Sequence, residues 1–191
     1  MMRFDHMIVR FGRKTALDDL TFALPPHRLT AVVGKNGAGK STLISCVTGQ
    51  VRYQGEIQFD GQILSRMTAR QRARLVAVLP QSLPKAPLPV ESLVAMGRNP
   101  HLPFGSRLTA DDQSKIDWAI QAAGLEDLRQ ARLDCLSGGE RQRAYLAMIL
   151  AQDTPVVMLD EPTTYMDILR EAEFLQFLEE LKTRHGKTLL V

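Results

Sequence analysis

Apolar residues alternate loosely with polar ones between Phe4 and Leu24, falling at Met7, Val9, Phe11, Leu17, Leu20, Phe22 and Leu24. Successive side chains of a strand point to opposite faces, so this pattern predicts two or three antiparallel strands. Gly12, Arg13 and Lys14 supply a turn, and Pro25-Pro26 closes the segment. The run Leu29-Thr30-Ala31-Val32-Val33 is continuous and predicts a short buried strand. Residues 55–59 predict another strand, ended by an Asp60-Gly61 turn. The apolar runs at 75–79 and 156–159 predict buried strands, the first of them parallel and stopped by Pro80. One more strand begins at Thr188.

Helical spacing occupies other stretches. Residues 41–48 predict a helix that Gly49 stops. Thr68 with Gln71 has the form of a capping box on a short basic helix over 69–74. Pro84, Pro87 and Pro89 mark an irregular linker, after which 90–97, 109–123 (ended by Gly124) and 137–151 read as helices. Ile168, Leu169, Ala172, Leu175, Phe177, Leu178 and Leu181 predict one face of a long amphipathic helix, with Gly186 as its cap. The middle of the chain therefore reads as a helical insertion in an α/β core.

Composition changes this picture little. The chain has 191 residues, 45% of them apolar and 24% charged, with a formal charge of +3, which fits one soluble globular domain. No basic tail suggests nucleic-acid binding. Cys46 and Cys135 lie far apart without metal-ligand spacing and are expected to be reduced, packed thiols. No apolar run approaches the ~20 residues that span a bilayer, so a membrane would matter through a partner.

The chemistry is concentrated in Gly34-Lys35-Asn36-Gly37-Ala38-Gly39-Lys40-Ser41-Thr42. Placed between a strand and a helix, G-x-x-x-x-G-K-S is a phosphate-binding loop: glycines let the backbone turn its N–H groups onto one spot, and the helix adds its unpaired N-terminal amides. Gly34, Asn36, Gly37, Ala38, Gly39 and Thr42 would shape this cradle. Lys40 would reach the β- and γ-phosphates, and the Ser41 hydroxyl would ligate Mg²⁺. A structural turn would not need Lys and Ser at those two places.

Two further motifs follow. Val156-Val157-Met158-Leu159-Asp160-Glu161 puts two carboxylates at the C-terminal end of a buried strand, where open α/β sheets hold ligands. Asp160 would hold Mg²⁺ through water, and Glu161 would orient or deprotonate the attacking water; a merely acidic strand end is the structural alternative. Leu136-Ser137-Gly138-Gly139-Glu140 gives a helix an N-cap and an open glycine entry, a second anion cradle. One nucleotide needs one cradle, so the second is explained if it faces the nucleotide of another copy. A capped helix with a flexible entry is the other reading.

These motifs together resemble the nucleotide-binding subunits of ABC transporters. Residues 34–42 match the Walker A loop, 136–142 the family signature and 157–161 Walker B. Gln81 falls at the Q-loop glutamine, which implies a place beside the metal and the reacting water. Asp167 falls at the D-loop aspartate, and Phe11 at the ring that stacks on adenine, more often Tyr. The resemblance implies a P-loop NTPase fold of the ABC type: a mixed central sheet, an N-terminal antiparallel β-subdomain, and a helical subdomain. The core would comprise 1–81 and 153–191, with the helical part at 82–152. It implies ATP and Mg²⁺ as cofactors and ATP hydrolysis as activity. It also implies a head-to-tail pair in which Ser137, Gly138, Gly139 and Glu140 of one copy complete the γ-phosphate site of the other. A membrane permease would dock near 82–89, on the cytoplasmic face of the inner membrane. The loop 98–104 would lie near that contact or be a solvated connector.

A narrower likeness, carried by 96–101, 151–155 and 161–167, is to the ATPases of iron-chelate importers, which take up ferric siderophores, haem or cobalamin with a periplasmic or lipid-anchored binding protein. Two features depart from the family. Lys35 stands where Pro is common and would lie beside the phosphates or in solvent. The switch histidine expected just after the strand at Thr188 is not reached before Val191, and His185 precedes Gly186 and is no substitute. The family's C-terminal part is missing, so the expectation is a truncated or shortened chain that binds nucleotide and hydrolyses it poorly. DNA-repair and chromosome-organising relatives carry long coiled coils between Q-loop and signature, and translation factors fuse two such domains; this chain has neither. A non-catalytic regulatory subunit would normally have lost Lys40 or Glu161.

Overall fold

Two neighbouring sheets divide the strands by their pairing. The computed structural model describes residues 1–103, 105–162 and 168–191, the side chains of 168–170 excepted. The readings placed on Phe104, on 163–167 (Asp167 included) and on the side chains of Ile168 and Leu169 lie outside the described residues.

The first sheet is antiparallel, in the order β2-β1-β4-β5. Strand β1 (Met2–Phe11) turns at Gly12-Arg13 into β2 (Lys14–Leu24), and β4 (Gln54–Phe59) turns at Asp60-Gly61 into β5 (Gln62–Ile63). Both residues of that second turn have positive φ, 47° and 79°, the left-handed pair that matches the twist of a two-residue hairpin. Phe4 and Phe22, directly opposite across β1 and β2, stack with ring centroids 4.3 Å apart.

The second sheet is parallel, in the order β3-β8-β7-β6: β3 (Leu29–Thr30), β8 (Thr188–Leu190), β7 (Val156–Leu159) and β6 (Val76–Leu79). The period of two decides which core each side chain joins. Val156 and Met158 of β7 face the antiparallel sheet and α1 (Lys40–Thr48). Val157 and Leu159 face the helices. All four are buried, and each such burial is worth about 1.5–3 kcal/mol.

Helices α3 (Val90–Met96), α4 (Ala110–Ala122) and α5 (Gly138–Ala151) pack Val90, Val94, Ile116, Ile120 and Ile149 into the same cluster as Leu178 and Leu181 of α6 (Ile168–Thr183). The short α2 (Ala69–Ala73) carries the capping box of Thr68 and Gln71. Among the described residues no helix is long and apolar enough to cross a membrane.

Several expectations need correcting. The strand expected to be buried at 29–33 covers Leu29–Thr30 and is the edge of its sheet, with Leu29 36% exposed; Val33, beyond the strand, is 93% exposed. A continuous apolar run signals extended backbone, but burial also needs a neighbour on both sides, and among the described residues β3 pairs only with β8. On α6 the buried stripe is Phe174, Leu178 and Leu181, while Ala172 and Leu175 are exposed. Spacings of four and three define one face, and Phe174 outweighs Leu175 in setting the rotation. Cys135 is exposed, so only Cys46 is a packed thiol.

Candidate functional site

The phosphate loop is shaped by glycines with positive φ and by close packing. Gly37 and Gly39 have φ of 81° and 97°, and Gly39 is the N-cap of α1. A Cβ on Gly39 would sit 2.4 Å from the carbonyl oxygen of Ala16 in β2, so a side chain is excluded by space as well as by conformation. The Ala38 amide donates to Lys35 O at 3.0 Å, closing the turn. Helix α1 is held from below by Leu43, Ile44, Cys46 and Val47, all buried. Burial pushes the Cys46 thiol up to about 11. The amides at the start of α1 are left for an external acceptor, as at any helix N-terminus. Lys35 is exposed.

Three elements deliver side chains to this loop. Lys40 Nζ donates to Gly34 O at 2.8 Å and lies 3.6 Å from Glu161 Oε1. Glu161 Oε2 accepts from Gln81 Nε2 at 2.7 Å. Gln81 stands just beyond β6, and Asp160 and Glu161 just beyond β7; the Asp160 amide donates to Leu79 O at 3.0 Å and locks the two strand ends together. Glu161 has φ of 49°, a left-handed conformation that costs about 1–3 kcal/mol in a non-glycine residue. That turn of the backbone aims the carboxylate back at Lys40 and Gln81. A cleft of about 180 Å³ is lined by Phe11, Lys14, Ala16, Gly37, Gly39, Lys40, Ser41, Thr42 and Glu161.

The signature residues lie elsewhere. Ser137 caps α5: its Oγ accepts from the Glu140 amide at 3.3 Å, and Glu140 Oε2 accepts from the Ser137 amide at 2.8 Å. The space where a Cβ on Gly138 would stand is open, and Ser137 and Gly138 are exposed. Gly138, Arg141 and Gln142 face Gln81, Asp160 and Glu161 across a cleft of about 650 Å³. Gln142 Nε2 donates to Pro162 O, and Tyr145 Oη to Pro84 O at 2.9 Å, so α5 is tied to both strand ends. Glu161 lines both clefts; no signature residue lines the phosphate cleft.

Other residues fall outside the site. Arg98 is 3% exposed: its Nε donates to Asp112 Oδ1 and its Nη1 to Ala151 O, both at 2.8 Å. Arg98, the first residue of the 98–104 loop, is thus a buried anchor between α4 and α5, while Asn99 and Pro103 are exposed. His185 packs near Trp118, with ring centroids 4.9 Å apart, in a different cleft. Sequence reasoning missed Lys14 and the tie from Gln142 to Pro162. Both depend on how distant segments fold together, and Lys14 reads locally as the exposed end of a turn.

The donor set suits a magnesium nucleotide: bare amides and an ammonium for phosphate, and a hydroxyl, an amide oxygen and a carboxylate as hard ligands for the cation. Among the described residues no cluster of three or more His, Cys, Asp or Glu could hold a metal by itself. A glycine-rich loop between strand and helix, beside an acidic strand end in a parallel sheet, is the architecture of a P-loop nucleotide-binding protein. A family model described as ABC transporter matches residues 17–164, and the chain belongs to that family. It is 37% identical to the iron(3+)-hydroxamate import ATP-binding protein FhuC of Bacillus subtilis, over 96% of this chain and 69% of that protein. It is 36% identical to the ferric enterobactin transport ATP-binding protein FepC of Escherichia coli, over 98% of this chain and 70% of that protein. Among solved structures, cbiO1 from Clostridium perfringens, part of the ABC transporter complex cbiONQ, superposes with a TM-score of 0.85 at 25% identity, covering 99% of this chain and 76% of that one.

Proposed function

We propose that this chain is the ATP-binding and hydrolysing subunit of an importer of iron chelates, working as a pair of copies on the cytoplasmic face of the inner membrane. The relatives named for ferric hydroxamate and ferric enterobactin support the cargo class. The observation that carries the catalytic reading is the meeting of Lys40, Gln81 and Glu161 from three separate elements.

In this reading the amides of Gly37, Ala38, Gly39, Lys40, Ser41 and Thr42 hold the phosphates, with Gly34 and Asn36 shaping the turn, and Phe11 stacks on the base. Its ring is 52% exposed at the rim of the cleft. Lys40 exchanges its bonds to the loop carbonyls for phosphate oxygens. Ser41, Gln81 and Asp160 would hold Mg²⁺, which when bound neutralises charge developing on the phosphates. Glu161 orients the attacking water and accepts its proton, and Gln81 holds that carboxylate in place. Among the described residues no histidine lines these clefts.

The signature residues Ser137, Gly138, Gly139 and Glu140 would serve the nucleotide of a second copy. Two facts support this: their glycine entry is open, and they do not line their own chain's phosphate cleft. The division into a core of 1–81 and 153–191 and a helical part at 82–152 belongs to the same proposal, with a permease docking near 82–89 and a substrate-binding protein acting beyond it. Titration with ATP tests the site. Lys40→Ala should abolish binding, and an affinity equal to the unsubstituted chain would refute the loop's role.

A further inference from the structure

We infer that Lys14 is a second phosphate-binding cation, supplied by the β1–β2 hairpin; the inference rests on the nucleotide reading above. Lys14 is the first residue of β2, three positions beyond Phe11, and it lines the same cleft as Gly37, Lys40 and Ser41. Its Nζ lies 3.9 Å from the point where a Cβ on Gly37 would stand, directly against the turn of the phosphate loop. Phe11 and Lys14 pair across the end of the hairpin, so ring and ammonium are presented together on one rigid turn.

Charge points the same way. Lys40, Lys115, Lys182 and Lys187 each face a carboxylate within 4.0 Å, whereas Lys14 has no carboxylate partner among the described residues. An ammonium held beside a glycine turn whose amides converge on an anion adds to the attraction for phosphate as a point charge. The contribution is selective for phosphates, because a base or a ribose offers an ammonium no comparable charge. It also ties the antiparallel sheet to the loop through the ligand, so the hairpin as well as the loop contributes to the affinity for nucleotide.

The test compares Lys14→Gln and Lys14→Glu with the unsubstituted chain, titrating ATP, ADP and adenosine by calorimetry at low and high salt. Lys14 is exposed, so folding is preserved, and melting without nucleotide checks this. ATP and ADP affinity should fall about tenfold in the Gln variant and further in the Glu variant, the difference narrowing at high salt while adenosine is unaffected. Unchanged ATP affinity, or an equal loss for adenosine, would overturn the inference. Lys40→Ala run alongside separates the two claims. If it binds ATP normally, the nucleotide reading itself fails; if it loses ATP while Lys14→Gln does not, only the role of Lys14 fails.

Discussion

The carboxylate of Glu161 is held by backbone strain and by contacts that include Lys40 and Gln81. Its φ of 49° is tolerated because β7 is buried on both faces and its end is locked to β6 through Asp160. Replacing it by Gln keeps the size and the bond toward Gln81 but removes the proton acceptor. We predict that Glu161→Gln binds ATP and turns it over about 100- to 10,000-fold more slowly, as measured by phosphate release. Unaltered turnover would remove Glu161 from the role of base. At this scale the sequence was informative where the chemistry is local. Lys40, Ser41 and Glu161 could be named because their spacing from glycines and from a buried run is itself the signal. Lys14 could not, because its position against Gly37 is created by the folding of β2 onto the phosphate loop.

Elements are set by their ends as much as by their faces. Thr68, Thr109 and Ser137 each close a capping box; Thr68 with Gln71 was legible as one, and Ser137 as an N-cap alone. At Thr109 the partner is Asp112, which has a second role. Hydrogen bonds from the Thr109 hydroxyl and amide, reinforced by Arg98, hold its carboxyl down from 3.8 to about 2. A lowered carboxyl pKa stabilises the fold above the unfolded value, and that contribution is lost as pH falls through the folded one. We therefore predict that Asp112→Asn destabilises the chain by about 1–3 kcal/mol at neutral pH. The difference should shrink between about pH 4 and pH 2, as read from denaturant midpoints across that range. A gap independent of pH would contradict the assignment. The rotation of α6 and the exposure of β3 were not legible, since both depend on what packs beside them and an apolar run carries no record of its neighbours.

For the whole molecule the parallel sheet is the organising wall. It carries the phosphate loop and the antiparallel sheet on one side and the helices on the other, sorted by alternate residues of β7. The open glycine entry of helix α5 does not line its own phosphate cleft, yet the helix is bonded to Pro162 and Pro84, next to Glu161 and the Gln81 segment. A change at the nucleotide therefore has a short covalent and hydrogen-bonded route to the helical part, and from there to a second copy. The central claim is that two copies close only around ATP, each completing the other's site. Light scattering coupled to size exclusion, run on Glu161→Gln with and without Mg-ATP and with Ser137→Arg added, tests it most directly. The account predicts a dimer only with Mg-ATP, lost on adding Ser137→Arg although ATP still binds. A monomer at saturating ATP, or a dimer indifferent to Ser137→Arg, would contradict it.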